Sequence, residues 1–220
     1  FLEAMAYRCH LQTEIITKLL QDDEIGEIKH VISSFGFSAK KLLKFFPNNR
    51  LFSKKLGGGA ILDVGCYTSS FALLIARLFK KNDDLLKFKL KNSFGTVNIR
   101  GTDDEACTTI VFENGLEAKL NTAIRKKMDN TSLITGSKGK MIINELWLPG
   151  KKSFIEIENK SKNYKKEITS KYSIYASTIK IASDFIIKKL TKCEYPLMTW
   201  EDSMINMKII NEWKNSLNKN

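Results

Sequence analysis

Several residue types that common active sites need are scarce in this sequence. Its 220 residues include two histidines, His10 and His30, so histidine-based mechanisms have little material. The four cysteines are widely spaced and form no Cys-x-x-Cys pair, which argues against a structural zinc site. We therefore expect no metal ion, and we expect reduced thiols as in a cytoplasmic protein.

Long apolar runs are also missing. No run approaches the roughly 20 residues that a membrane-spanning helix needs, and the first residues lack the basic start and the small-residue cleavage site of a signal peptide. We therefore expect no membrane partner. Because the chain starts at Phe1 rather than at methionine, we expect that it was cut from a longer protein or that its beginning was not recorded.

Positive charge is abundant: 36 lysine and arginine residues against 24 aspartate and glutamate residues give a net charge of +12. Such an excess suggests nucleic acid as a partner. However, most of these cations are lysines scattered through every segment, whereas nucleic-acid binding proteins favour arginine interleaved with exposed aromatic side chains. We therefore interpret the lysines as a compositional bias and expect no nucleic-acid partner.

The order of apolar patterns along the chain predicts the fold class. Short alternating segments between residues 85 and 169, with one turn at Asn114-Gly115, predict antiparallel strands. The basic stretch from Ser38 to Leu56 is predicted to be a long surface loop. The class is therefore α+β, a mostly antiparallel open sheet with helices packed on one face. The other predicted elements are strands over residues 2–9 and 27–37 and helices over residues 11–22, 60–79, 172–190 and 200–217.

Three consecutive glycines begin the stretch GGGAILDVGCYTSS. Gly57 and Gly59 start the G-x-G-x-x-G dinucleotide pattern, but Leu62 stands where its last glycine should be, and a Walker-type loop is absent as well. What remains is the start of a helix, whose free N–H groups favour an anion. The alternative is a purely structural entry to a core helix.

Two polar residues follow the glycines. Asp63 and Tyr67 are four positions apart, so in a regular helix both side chains lie on one face. Gly65 between them indicates that something approaches the backbone closely. Tyrosine can donate or accept a proton if a neighbouring positive charge tunes its pKa. The alternative is a surface aspartate and a half-buried tyrosine without a catalytic role.

The segment YRCH, residues 7 to 10, is a second candidate for chemistry. Arg8 and His10 at the end of a strand would be placed to contact an anionic or hydroxylated ligand. Equally, Arg8 would fit a paired structural arginine.

Four stretches, in this order, resemble successive landmarks of the Gfo/Idh/MocA oxidoreductases. The resemblance is greatest to the branch that contains glucose-fructose oxidoreductase and the dimeric dihydrodiol and xylose dehydrogenases. The four stretches are FLEAMAYRCHLQTEIITKLLQDDEIGEIKHVISSFGF, NRLFSKKLGGGAILDVGCYTSSFA, ITGSKGKMIIN and YPLMTWEDSMINMKIINEW.

This resemblance implies a two-domain NAD(P)-dependent enzyme, of which the chain supplies the second part. Residues 1 to 10 resemble the last strand of a dinucleotide-binding Rossmann domain, and residues 11 to 220 resemble the substrate and oligomerisation domain. The glycine-rich dinucleotide loop and the Glu-Lys-Pro motif of the family are missing. NAD or NADP would therefore be bound mainly by the absent domain, and the isolated chain is expected to be inactive.

The resemblance also implies roles for individual residues. The family's Asp-x-Gly-x-His/Tyr motif falls on Asp63, Gly65 and Tyr67, with Tyr67 as the catalytic acid/base and Asp63 as a substrate or orienting contact. Arg8 and Arg50 match positions near the nicotinamide or the substrate in relatives, and both are expected to bind the cofactor. The expected partners are a sugar-like substrate, either a sugar, a polyol or a diol, and further copies of the chain across the sheet face. A non-catalytic binding or dimerisation module of the same fold is the alternative.

Overall fold

An open eight-stranded sheet forms the centre of the fold in the computed structural model, which describes residues 1–78 and 86–217. The strand order is β2-β3-β4-β1-β5-β6-β7-β8. Every neighbouring pair is antiparallel except β1 and β4, which run parallel. The strands are β1 (Ile28–Gly36), β2 (Phe88–Val97), β3 (Asp103–Phe112), β4 (Glu117–Ala123), β5 (Ser132–Gly136), β6 (Gly139–Ile143), β7 (Lys152–Asn159) and β8 (Asn163–Thr169).

Alternation along the strands separates a covered face from an open face, as the period of two in a strand requires. On β1, Val31 and Ser33 are fully buried, whereas Ile32 between them is 40% exposed. One row of apolar side chains crosses the covered face through paired positions of all eight strands. From β2 to β8 it consists of Leu90, Ile110, Ala118, Val31, Ile134, Met141, Ile157 and Tyr164.

The helices lie on the covered face and differ greatly in burial. Nine of the twelve residues of α3 are buried against β1, β4 and α5. In α4 only Ile174 and Ser177 of fourteen residues are buried, although its sequence is strongly apolar. The helices are α1 (Leu11–Gln21), α2 (Lys40–Phe45), α3 (Cys66–Arg77), α4 (Ile174–Ile187) and α5 (Trp200–Leu217).

The sheet, the Asn114-Gly115 turn between β3 and β4, and four of the five helices confirm the sequence prediction. The strand predicted over residues 2–9 is wrong. Ala6–Cys9 is a 3-10 helix whose four residues are buried, because Tyr7 and Arg8 turn inward and bond to Ser70 rather than to a neighbouring strand. Met5 and Tyr7 thereby belong to the main core.

The segment from Ser38 to Leu56 is not the irregular loop that its composition predicted. It contains α2 and two short 3-10 turns, Arg50–Phe52 and Lys54–Leu56. Leu51 and Phe52 anchor it in a small second core with Val64 and Ile124. Apolar side chains, rather than a helical repeat, therefore order this basic segment.

The helix predicted over residues 60–79 begins differently from a regular α-helix. Ile61–Gly65 is a π-helical turn, and α3 follows it; the predicted end at Phe79 lies outside the described residues. The helical run Lys54–Arg77 is long and apolar enough to cross a membrane by length and composition, but 78% of its apolar window is buried inside the fold. Its apolarity is therefore explained by the protein core.

Candidate active site

The third glycine of the glycine run brings a carboxylate to the start of the helical segment. Gly59 has φ +110°, and a Cβ atom added there would lie 2.2 Å from Oδ1 of Asp103. Oδ2 of Asp103 accepts a hydrogen bond of 2.6 Å from the backbone N–H of Ile61. Only glycine allows both this backbone conformation and this approach.

Asp103 therefore supplies the anion that the helix start was predicted to attract. The side chain comes from the first residue of β3 and is 3% exposed. Burial raises the pKa of this carboxyl, and the N–H groups of the helix start oppose the rise. The alternative of a structural helix entry fits this arrangement, because the position that a phosphate would occupy is filled by the protein itself.

Asp63 lies in the π-helical turn and forms an ion pair at the surface. Its Oδ1 accepts a bond of 2.7 Å from Nη2 of Arg50, whose side chain is 60% exposed while that of Asp63 is 16% exposed. π-turns of this kind recur at functional sites. Gly65 closes the turn, and a Cβ atom there would lie 3.2 Å from the ring of Trp213. The close approach predicted at Gly65 is made by an indole of α5.

Tyr67 is half-buried in a group of aromatic rings at the start of α3. Its ring centroid lies 5.4 Å from that of Phe35, 6.1 Å from that of Tyr7 and 6.3 Å from that of Trp147. Phe35 and Trp147 stack, and the indole N–H of Trp147 donates to the carbonyl of Ser34 at 2.7 Å. These edge contacts fix the Tyr67 ring.

The Tyr67 hydroxyl makes no hydrogen bond within residues 1–78 and 86–217. Burial raises the pKa of this phenol, and nearby Cys66, Tyr175 and Asp63 act in the same direction. Burial likewise raises the pKa of the Cys66 thiol to about 12. Because the pKa of this phenol lies above its ordinary value, the hydroxyl stays protonated at neutral pH.

Arg8 is fully buried behind the aromatic rings. Its Nη1 donates to Oδ2 of Asp202 at 2.6 Å, its Nη2 donates to the carbonyl of Ser70, and its Nε donates to the Tyr7 hydroxyl at 3.3 Å. Nε of Arg77 lies 2.8 Å from the other oxygen of Asp202. These contacts fit the alternative of a paired structural arginine, and the predicted cofactor contact of Arg8 stays a prediction.

His10 is also inside the fold. It is fully buried, and its Nδ1 accepts a bond of 3.2 Å from the N–H of Gln12, so that it caps α1. Burial lowers the pKa of this imidazole. Its Nε2 has no hydrogen-bond partner among the described residues, and because the ring is fully buried it is not open to solvent.

Three residues that matter for this geometry were missed by sequence reasoning. Asp103 contacts a residue 42 positions earlier, Asp202 contacts Arg8 across 194 positions, and Trp147 reaches the site from the loop after β6. Such contacts leave no local pattern.

The described residues of this chain do not fit the diphosphate of a dinucleotide at the glycine run. Asp103 fills that helix start, and a carboxylate there repels a phosphate. Nor do three or more His, Cys, Asp or Glu side chains within residues 1–78 and 86–217 come together as a metal site requires.

Comparison with known proteins identifies the family of the chain. The family model described as the GFO/IDH/MocA C-terminal domain matches residues 14–142. Trans-1,2-dihydrobenzene-1,2-diol dehydrogenase of Xenopus tropicalis is 28% identical over 137 residues, which are 62% of this chain and 38% of the relative; the mouse enzyme is 24% identical over 148 residues, 67% of this chain and 40% of the relative. The chain thus spans about two fifths of the length of these relatives.

Solved structures show the same fold. KijD10, a 3-ketoreductase of Actinomadura kijaniata solved in complex with NADP and TDP-benzene, superposes with a TM-score of 0.76 at 19% identity, covering 96% of this chain and 60% of that one. Aldose-aldose oxidoreductase of Caulobacter crescentus gives a TM-score of 0.77 at 15% identity, covering 99% and 62%. At these identities the likeness concerns the fold.

Proposed function

Because the chain belongs to the GFO/IDH/MocA C-terminal domain family, we propose that it is the C-terminal part of an NAD(P)-dependent oxidoreductase. The reaction would transfer hydride between nicotinamide and a carbonyl or alcohol of a sugar, polyol or diol. One observation carries this proposal: the Tyr67 hydroxyl is held by aromatic rings at the start of α3, free of hydrogen bonds within the described residues and beside the Asp63–Arg50 pair. The names of the relatives support the substrate class.

In this mechanism Tyr67 handles the proton. Its raised pKa keeps the phenol protonated at neutral pH, so it can donate its proton to the carbonyl oxygen during reduction and become a phenolate. In the oxidative direction the phenolate form would take the hydroxyl proton of the substrate. Asp63, held by Arg50, would orient a substrate hydroxyl. Nicotinamide, when bound, would supply or accept the hydride.

A dinucleotide-binding domain would supply two things for this reaction: a cation beside Tyr67 and the binding site of NAD or NADP. A cation beside Tyr67, such as a lysine of that domain, would bring the phenol pKa towards neutrality and speed the oxidative direction. NAD or NADP would be held mainly there, with residues 1–10 as the last part of that domain, so we propose that the chain alone is inactive. Arg50, with its exposed guanidinium, would reach the cofactor directly, and Arg8 would contribute from behind Tyr7.

The surface of α4 supports such a second folded unit. Tyr175, Ile179 and Ile186 are 65%, 67% and 79% exposed. An exposed apolar helix side of this kind marks a site of protein contact. A second domain packed there would bury it.

We also propose that copies of the chain pair through the open sheet face in the cytoplasm. Ile32, Phe94 and Phe154 lie on this face and are 40%, 63% and 49% exposed. The four cysteines are free thiols, which agrees with a reducing compartment. The same face would serve the second candidate, a binding or dimerisation module without catalysis, since the exposed Ile32, Phe94 and Phe154 side chains need no catalytic site.

The test is Tyr67→Phe in a protein that carries this chain together with its dinucleotide-binding domain. We expect kcat to fall by about two orders of magnitude, since general acid/base catalysis contributes that much, with cofactor affinity unchanged because the ring remains. Tyr172→Phe, which alters a tyrosine outside the aromatic group, is the control. Unchanged turnover in Tyr67→Phe would overturn the acid/base role, and absence of any turnover in the unmutated protein would favour the module.

A further inference from the structure

A basic groove lies beside the candidate site and is unused by the proposed chemistry. It has a volume of about 720 Å³. Phe52, Ser53, Lys54, Lys55 and Arg100 are among the residues that line it. Phe52 is 2% exposed and packs in the small core, whereas Lys54, Lys55 and Arg100 are exposed.

The groove has no counter-charge of its own. Lys54, Lys55 and Arg100 form no ion pair with any residue that the structure describes. Between residues 28 and 62 the sequence has seven lysine and arginine residues and no aspartate or glutamate. An uncompensated positive concavity concentrates anions.

Nearby carboxylates are engaged elsewhere. Asp104 accepts from Arg125 at 2.7 Å, and Asp63 accepts from Arg50 at the same distance. Asp103, buried at the helix start, faces N–H groups. These three carboxylates therefore have partners other than the cations that line the groove.

The guanidinium of Arg100 is oriented rather than free. Its Nη1 donates to the carbonyl of Pro47, and its backbone N–H donates to Oδ1 of Asn98 at 2.9 Å. The remaining N–H groups form a fork, the geometry that matches two oxygens of a phosphate. The ammonium groups of Lys54 and Lys55 add two point charges, and the Ser53 hydroxyl adds a neutral donor.

The groove and the candidate site share one backbone support. The N–H of Gly58 donates to the carbonyl of Ser53 at 2.9 Å, and that of Gly59 donates to the carbonyl of Leu51 at 3.0 Å. Arg50, in the same turn, bonds to Asp63. The segment that lines the groove is therefore fixed to the helix start that carries the candidate acid/base.

We propose that this groove binds a phosphate or diphosphate group of the substrate, so that the substrate is a phosphorylated or nucleotide-linked sugar. The inference rests on the proposed oxidoreductase function, which it deepens. Its charge, its oriented guanidinium and its backbone bonds to Gly58 and Gly59 each follow from the described residues. The phosphoryl end lies in the groove, and the sugar extends past Arg50 towards Tyr67.

The experiment is isothermal titration of the chain with inorganic pyrophosphate at low salt. We expect 1:1 binding that Lys54→Gln/Lys55→Gln weakens by about tenfold and that Arg100→Gln weakens similarly. Arg100→Lys should fall between, because it keeps the charge and loses the fork. The matched control is Lys151→Gln/Lys152→Gln, which removes an adjacent pair of exposed lysines and should leave binding unchanged.

Further arms identify the ligand and separate this inference from the proposed function. Tighter binding of a nucleoside diphosphate than of pyrophosphate supports a nucleotide-linked sugar, and equal affinity for glucose 1-phosphate and pyrophosphate supports a sugar phosphate. No binding, binding unaffected by the groove variants, or much tighter groove-dependent binding of a single-stranded oligonucleotide overturns the proposal. Tyr67→Phe should not change pyrophosphate binding, so the groove can fail while the acid/base role stands, and the reverse.

Discussion

Two arginine–aspartate pairs in this molecule have nearly the same geometry and opposite surroundings. Arg8 and Asp202 lie 2.6 Å apart with both side chains fully buried, whereas Arg50 and Asp63 lie 2.7 Å apart with the arginine 60% exposed. Contact distance therefore says little about role. Surroundings decide whether a charge is used inside the fold or is available to a ligand.

The buried pair is enclosed by other protein groups. The Arg8 guanidinium meets Asp202, Tyr7 and the carbonyl of Ser70, and a second arginine lies against Asp202. The exposed pair has one mutual bond, and the rest of the Arg50 guanidinium faces solvent. The two arginines that the family resemblance placed near the cofactor thus differ in what they can reach.

The largest expected effect comes from breaking the buried pair. Asp202→Asn should lower the free energy of unfolding by about 3 kcal/mol or more, because it leaves the buried cations of Arg8 and Arg77 without their counter-ion. Chemical denaturation monitored by circular dichroism measures this. Asp63→Asn is the matched control and should cost less than about 1 kcal/mol; equal losses would show that burial does not separate the pairs.

Asp103 is a third buried or partly buried carboxylate, and it accepts its hydrogen bond from a backbone N–H group instead of from an arginine. Asp103→Ala should cost about 2 kcal/mol, since it leaves the N–H of Ile61 unsatisfied inside the fold, while Asp103→Asn keeps an acceptor and should cost less.

The pH dependence of this effect has a definite sign. Burial raises the folded-state pKa of Asp103 above its unfolded value, so its protonated form is favoured by folding. The stability it contributes is present below the unfolded pKa and is lost as pH rises through the folded pKa. Denaturation of the wild type relative to Asp103→Asn should show a difference that grows as pH is lowered from neutral; a constant or shrinking difference would contradict the raised pKa.

The smallest expected effect concerns the exposed pair. A double-mutant cycle of Arg50→Gln and Asp63→Asn should give a coupling energy below about 1 kcal/mol that decreases in high salt, because solvent and ions screen the charges. Urea denaturation at two salt concentrations measures it. A coupling energy of several kcal/mol that does not change with salt would show that the Arg50–Asp63 pair is shielded from solvent like the Arg8–Asp202 pair.

The sheet could be read from the sequence because its information is local. The alternating pattern of side chains around Val31, Ile32 and Ser33 predicts a strand with one covered face. The Asn114-Gly115 pair predicts the position of the turn between β3 and β4. The placement of Asp63 and Tyr67 at a helix start was also local. Their roles in catalysis stay predictions.

The features that the sequence did not predict depend on contacts between residues that are distant in sequence. The 3-10 turn Ala6–Cys9 replaces the predicted strand because Arg8 forms an ion pair with Asp202. The start of the helical segment is occupied by the Asp103 carboxylate, which accepts a hydrogen bond there, rather than by the anion of a ligand. The π-turn before α3 has no sequence signal that periodicity detects. Each failure is a tertiary contact that overrides a local preference.

In solution the isolated chain has two opposing tendencies: its net charge separates the molecules, and the exposed apolar side of α4 favours their association. A net charge of +12 keeps molecules apart in dilute buffer. At about 1 M salt the screening length falls to roughly 3 Å, so this repulsion disappears while sulfate strengthens contact between apolar surfaces. Purification steps that use concentrated sulfate would therefore drive these molecules together through α4, and handling at low ionic strength would keep them dispersed.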